Sequence, residues 1–340
     1  MQLTPQWLMQ SRREFLMRCG SLLAFTPSMS SAHSKQHKTM IKENFDVIIV
    51  GGSYSGMAAA MGLGRALRNV LVIDSGSPAN RFTPESHNLL THDGRRPSEI
   101  IEIARQQVLQ YKTVQLRNGL VVKAEQSAKE FTLQTDTGEK FTASKLVFAT
   151  GIIDTVPDVH GAAECWGKSV LHCPYCHGFE VRAKVTGILG NGDYAFEFGA
   201  LISNWTSDLT IYTNGPSTLT LEQTSKLHSH NIKIVENKIK YLKHVNGYVE
   251  AIVFENGDTA LVNAIYTKPE FKQHSNIPYS LGCDLTNDGY IQIDSAFRTT
   301  VPGVYACGDN VTRMRTVASA IAMGTSTAIA LNKDMILQTF

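Results

Sequence analysis

Unbroken apolar runs and stretches of helical spacing take turns along this chain, and glycines mark many of the changeovers. Asp46 to Val50 (DVIIV) has no polar alternation after its first residue, which predicts a strand buried on both faces. Glycines follow at once, then an Ala/Leu/Met-rich helix over 57–67 and a second buried strand over 70–73 ending in Asp74. This is a strand–turn–helix–strand unit of about 30 residues. Pro97 to Tyr111 carries apolar positions at helical spacing, and residues 120–151 alternate around a turn at Asp136-Thr137-Gly138, as a small antiparallel meander does. Lys184 to Gly215 repeats strand, glycine turn, helix, strand. A second meander is expected next, with hairpin signals at Asn246-Gly247 and Asn256-Gly257. "GYIQIDSAFRTTVPGVYACGD" (289–309) predicts a strand, a Pro-Gly turn and another strand, before a small-residue helix from Val317 to about Leu331.

Composition adds exclusions. At 340 residues the chain is long enough for two domains, and its 43% apolar and 18% charged content is that of a globular protein. A net charge of +2, with no long basic run, leaves no footprint for nucleic acid. Six cysteines in this length exclude a disulfide-stapled mini-protein.

The amino-terminal 39 residues read apart from the rest. Arg12 and Arg13 precede an uncharged stretch from Cys19 to Ala32, too short for the ~20 residues of a membrane-spanning helix, so no integral span is expected. A basic start, a short apolar middle and small residues at "MSSAHS" make an export signal that resembles the twin-arginine type, with a periplasmic destination. The alternative is translation from Met40 and a cytoplasmic protein.

Two glycine turns carry the nucleotide chemistry. The first follows a buried strand, opens a helix and has an acid 23 residues beyond Gly51, at Asp74. Gly51 permits the tight turn, Ser53 holds the middle glycine position with a small side chain, and Gly56 lets helix and strand approach. The helix N-terminus presents free N–H groups to a pyrophosphate, and Asp74 can accept from a ribose hydroxyl. The second turn, Gly190-Asn191-Gly192-Asp193-Tyr194-Ala195, has the same context. Its second strand ends in "YTNG", with neither an acid for a ribose nor an arginine for a 2′-phosphate, so a preference for NADPH is not expected; Asn214 could make a weaker ribose contact. The fold class predicted is α/β, with two Rossmann-like dinucleotide-binding units, the second inserted in the first, each with a small antiparallel meander.

"HCPYCHGFE" (172–180) holds Cys173 and Cys176, the one close cysteine pair. A four-cysteine zinc site needs a second pair, and none exists, so no metal is assigned. A four-residue loop makes a poor structural staple, because closing it removes little unfolded-state entropy. Redox use fits best, since C-x-x-C geometry favours disulfide formation and can depress one thiol pKa. His177 adds a proton donor and acceptor beside Cys176, with a pKa near ~6.5 if unperturbed. Cys283 and Cys307 read as core residues, and His172 as a packed or capping histidine.

Two dinucleotide units with C-P-Y-C-H-G between them resemble the low-molecular-weight thioredoxin reductase family of flavoproteins, over residues 44–340. "VIIVGGSYSG" is similar to that family's FAD motif, "LVFATG" to its crossing-strand motif ending at Gly151, and "GILGNGDYA" to its NADPH-domain turn with Gly190, Gly192 and Asp193. "TTVPGVYACGD" is similar to its second FAD motif, in which Gly308 and Asp309 would hold the ribitol chain. The resemblance further implies Arg81, Asn88 and Val317 as cofactor contacts. It implies an FAD domain over 44–156 and 268–340, a nicotinamide-type domain over 157–267, Cys176 against the flavin, Cys173 as the outward thiol, and a homodimer.

The chain departs from the family in carrying His177 where an acid is usual, Thr213-Asn214-Gly215 where arginines are usual, and "YTKPEFKQ" in place of a glycine and Pro-Asn at the return to the FAD domain. In C-x-x-C-H and "TNG" it is similar to the gliotoxin- and holomycin-type dithiol oxidases. The function implied is an FAD-dependent disulfide oxidoreductase. Three alternatives follow: a reductase passing electrons from NAD(P)H to a thioredoxin-like protein or small disulfide, an oxidase closing dithiols at the expense of oxygen, or a zinc- or nucleotide-binding module without turnover.

Overall fold

The computed structural model describes residues 44–128 and 130–340, so the expected export signal, Cys19 and Met40 lie outside the described residues. The chain opens with β1 (Asn44–Val50), α1 (Tyr54–Arg65), β2 (Val70–Asp74), a 3-10 turn at Ala79–Phe82, α2 (Pro97–Val108) and β3 (Val114–Asn118). It continues through β4 (Val121–Gln126), β5 (Phe131–Thr135), β6 (Lys140–Phe148) and β7 (Ile152–Thr155). The sheet order is β3-β2-β1-β6-β5-β4, parallel from β3 to β6 and antiparallel through the meander β4–β6. Side chains alternate across β1, so Ile48 and Val50 enter one core with Phe148, while Val47 and Ile49 enter another under α1. Each such aliphatic contributes about 1.5–3 kcal/mol by leaving water. This two-sided burial is what the unbroken apolar run foretold. The helix α1 begins three residues before the expected start and ends at Arg65, with Leu67 already at φ +62°.

The middle of the chain builds a second sheet. It contains α3 (Ala162–Cys165), β8 (Val170–Leu171), α4 (Pro174–His177), β9 (Thr186–Leu189), α5 (Gly192–Ile202), β10 (Leu209–Tyr212), α6 (Leu221–Ser229) and β11 (Lys233–Val235). A meander of β12 (Ile239–Val245), β13 (Tyr248–Phe254) and β14 (Thr259–Leu261) precedes β15 (Ala264–Thr267). The parallel order is β11-β10-β9-β15-β8. Here α6 and β11 stand where the meander alone was expected. The helix has a capping box, Thr220 accepting from Gln223 N–H and Gln223 reaching back to Thr220 N–H, a signal present in the sequence as T-L-E-Q.

The chain then returns through β16 (Glu270–Gln273), antiparallel to β7, and α7 (Ile277–Ser280) to β17 (Val304–Ala306), which lies parallel to β6 in the first sheet. α8 (Val317–Thr339) closes it, eight residues longer than expected, and packs on α1. The strand expected over 289–294 is absent: Ile291 makes only an isolated bridge to Leu285, and its N–H donates to Asn310 O at 2.9 Å. Turns on both sides, with Asp294 accepting from Ala296 and Arg298 N–H, leave no length for a ladder. The fold is therefore α/β with two Rossmann-like parallel sheets, the second made of residues inserted between strands of the first.

Candidate active site

At the end of β1 the chain turns so tightly that a Cβ on Gly56 would lie 1.9 Å from Gly51 O. Only glycine fits there, and α1 consequently starts directly against the strand. Ser53, its N-cap, makes no side-chain capping bond, and the first turn of α1 contains no acid. The leading amides are thus free of side-chain acceptors, which is the condition for receiving an anion. Asp74, at the end of β2, accepts from Gly52 N–H at 3.0 Å and from Arg105 at 2.8 Å. Gly51, Ser53, Asp74, Gly151, Asp309 and Val317 line one cleft of about 1,010 Å3, counted to its open mouth. Gly56 and Gly308 lie behind it against Gly51 and Ser55. Most of the residues expected at a flavin dinucleotide therefore meet in one place, and their free amides and glycine cradle fit its pyrophosphate.

A second cavity, about 770 Å3, continues from the first through Ala79, Asn80, Asp309, Arg315, Thr316 and Val317, which line both. Its far wall is the cysteine segment. Cys173 and Cys176 are joined in a disulfide; Cys173 is the N-cap of α4, and Pro174 starts that turn. Gly178 follows because Trp205 leaves no room for a Cβ. Cys176 and His177 line this cavity and Cys173 does not. His172 also lines it, stacked on Trp166 with centroids 5.8 Å apart, so it is packed as expected but faces the cavity too.

Sequence reading missed the charged groups here. Arg315 pairs bidentately with Asp154 at 2.8 and 2.5 Å, across 161 residues, and its Nε is buried without a hydrogen-bond partner, 3.9 Å from Asp309. His87 lies 3.6–3.7 Å from Glu85, Asp93 and Glu180. No local pattern announces these residues, because their partners arrive through tertiary structure.

Burial dominates the titration of the site. It pushes His177 down to about 4, helped by His172 and His87 nearby. This corrects the expectation of an imidazole poised near neutrality: with the disulfide closed, His177 is a neutral base. Burial, and then Arg315, push His172 down to about 4 against the pull of Asp154, while burial raises Asp309 to about 6. Among the described residues, no group of three or more His, Cys, Asp or Glu could hold a metal ion.

Other expected residues fall elsewhere. Arg81 lies over the Phe82 ring at 4.3 Å and donates to Pro78 O. Asn88 sits in a turn at φ +59° with its N–H on Asp93. Neither lines either cavity, whereas Asn80 lines both. Gly190, Gly192 and Asp193 form the second turn, which is likewise separate from both cavities. Asn214 turns its carboxamide oxygen to Ile239 N–H at 2.7 Å, which leaves its Nδ2 for the weaker ribose contact.

Residues 45–324 match the family described as pyridine nucleotide-disulphide oxidoreductase. The chain is 32% identical over 301 residues to the thioredoxin reductase aclD of Aspergillus oryzae, covering 84% of this chain and 95% of that one. It is 30% identical over 290 residues to the thioredoxin reductase tcpT of Claviceps purpurea, covering 82% and 90%. The crystal structure of a putative thioredoxin reductase TrxB from Bacillus anthracis superposes with a TM-score of 0.84 at 30% identity, covering 87% of this chain and all of that one.

Proposed function

The chain belongs to the pyridine nucleotide-disulphide oxidoreductase family as a thioredoxin reductase-like enzyme, and from this we propose that Cys173–Cys176 exchanges two electrons between a bound FAD and a dithiol or disulfide substrate. The observation that carries this reading is the continuity of the two cavities, with the glycine cradle at one end and Cys176 at the other. FAD supplies, when bound, the two-electron partner of the disulfide. Gly51, Ser53 and the α1 amides would hold its pyrophosphate, Asp74 a ribose hydroxyl, and Asp309 the ribitol chain.

The protein's own groups then do the following. A substrate thiolate attacks Cys173 Sγ, the Cys173–Cys176 bond breaks, and Cys176 leaves as a thiolate. A second substrate thiol displaces Cys173 and departs as the disulfide; the reverse sequence reduces a disulfide. His177, held neutral by burial, takes the proton that a thiol must shed. The new negative charge on Cys176 favours the imidazolium, so the basicity of His177 rises when it is needed.

We propose further that the 39 leading residues export the protein, that it forms a homodimer, and that residues 157–267 make a separate domain. Cell fractionation, sedimentation and limited proteolysis test these in turn.

The main test uses spectra. Cys173→Ser should abolish disulfide turnover, keep FAD and show a long-wavelength charge-transfer band from the Cys176 thiolate, whereas Cys176→Ser should lose turnover without that band. The band in Cys176→Ser alone would exchange the two roles, and turnover in both variants would end the proposal.

A further inference from the structure

Between the 3-10 turn and α2 the chain reads S-H-N-L-L-T-H-D-G (86–94) and closes on itself as a tight loop. Ser86 N–H donates to Arg95 O at 2.8 Å, Gly94 N–H to Ser86 O at 2.9 Å, and Asn88 N–H to Asp93 Oδ1 at 2.7 Å. Asn88 takes its left-handed backbone to allow this, a conformation that asparagine tolerates. His87 therefore stands between two fixed residues. It lines the same cavity as Cys176 and His177, with its side chain 15% exposed.

That ring lies between a buried base and open solvent. Glu85 is 3.7 Å and Glu180 3.6 Å from its Nε2, and Asp93 is 3.7 Å from its Nδ1. Glu180 arrives from the segment after α4, three residues beyond His177, while Glu85 and Asp93 come from the loop and its edge. The carboxylates of Glu85, Asp93 and Glu180 are 56%, 67% and 36% exposed, so each can trade protons with water.

The remaining charged and titratable groups of the cavity are committed elsewhere. Arg315 and Asp154 hold each other bidentately, with Asp309 beside them. His172 is stacked on Trp166 and, like His177, is held neutral by burial. Among the described imidazoles that line the cavity, His87 is the one beside exposed carboxylates.

We propose that His87 carries protons between His177 and solvent, acting through His177 and never on the disulfide itself. This rests on the thiol–disulfide reading above. When a substrate thiol attacks Cys173, its proton goes to His177 and its sulfur electron pair forms the new S–S bond. The old S–S pair leaves with Cys176 as a thiolate. Once that charge on Cys176 is gone, burial again disfavours the imidazolium. His177 then passes its proton across the cavity to His87, which hands one to a neighbouring carboxylate and so to water. One proton reaches solvent for each thiol consumed, and both imidazoles end as they began. Reduction of a disulfide runs the same path inward.

The test follows anaerobic bleaching of the holoenzyme's visible flavin band by dithiothreitol, by stopped flow at neutral pH in dilute buffer. His87→Gln, which hydrogen-bonds but cannot titrate, should slow bleaching ~10–100-fold with FAD content unchanged. Added imidazole should restore the rate in proportion to its concentration and leave wild type unaffected, a response that a merely structural histidine would not give. The double variant Glu85→Gln with Glu180→Gln keeps His87 in place; it should slow bleaching by a smaller factor, again with rescue by imidazole. A wild-type rate in either variant, or a slow rate that imidazole does not raise, overturns the relay and leaves the thiol–disulfide reading standing. Wild-type holoenzyme that dithiothreitol cannot bleach overturns that reading, and the relay with it.

Discussion

The two glycine turns are built alike in backbone and opposed in chemistry. Each follows a largely buried parallel strand, starts a helix of eleven or twelve residues and is read from sequence by the same spacing. At the first, Ser53 caps nothing and no acid follows, so the helix end faces the cleft with its amides available. At the second, Asn191 accepts from Gly192 N–H, Asp193 is held by Gln223 Nε2, and the Tyr194 ring lies against Gly190.

The largest expected effect breaks the first turn. Gly56→Leu would drive a side chain into Gly51 O and should abolish FAD content, read as the flavin-to-protein absorbance ratio. Full occupancy in a folded variant would refute the cradle.

Making the first turn resemble the second is the sharper experiment. In Ser53→Asp the introduced carboxylate competes for the α1 amides and repels the pyrophosphate. FAD should dissociate ~10–100-fold more readily, read by flavin fluorescence on dilution. An unchanged dissociation constant would mean that the helix end does not contribute.

Loosening the second turn should cost stability without touching the flavin. Asn191→Ala removes a helix cap and the tie to Thr218, which should lower stability by about 1–2 kcal/mol in denaturant unfolding, with the absorbance ratio preserved. Loss of FAD in this variant would couple two regions held here to be independent.

The smallest effect is a pH slope. His172 and His177 sit near 4 when folded and near ~6.5 when unfolded, so the unfolded chain binds the extra protons in between. Their contribution is complete above ~6.5 and is lost as pH falls toward 4, at up to ~1.4 kcal/mol per pH unit for each proton. Asp309, raised to about 6, opposes them, because its folded carboxyl protonates first and adds stability on the way down. The thermal midpoint should therefore fall between pH 6.5 and 5, and His172→Gln should flatten that fall. A slope identical in the variant would remove His172 from the account.

Much of this architecture was legible before any coordinates. Period and turn residues located β1, β2, β9, β10 and both hairpin signals, because in each the local preference agrees with the tertiary role. The cysteine pair and the glycine cradle were legible for the same reason, being contiguous in sequence. Residues 289–294 misled, since their alternation imitates a strand while the turns at Asp294 and Thr286 leave it no partner. The Arg315–Asp154 pair and the imidazoles beside it could not be read, because burial and partner are made by segments far apart in the chain. Nor could the closure of the second turn, which depends on a loop 25 residues further on folding back over Asn191.

One feature of the strand order bears on how the protein is made. β17 and α8, last in the chain, lie beside β6 and α1, and Asp309, Arg315 and Val317 complete the cleft that begins at Gly51. A ribosome therefore delivers every strand of the middle sheet before the cofactor's pocket has all its walls. Were residues 157–267 to fold as they emerge, the cysteine-bearing sheet would mature while the cleft still waited for residues 304–317. A nonsense mutation late in the gene would then yield a chain whose disulfide segment is intact but which has nowhere to keep its flavin.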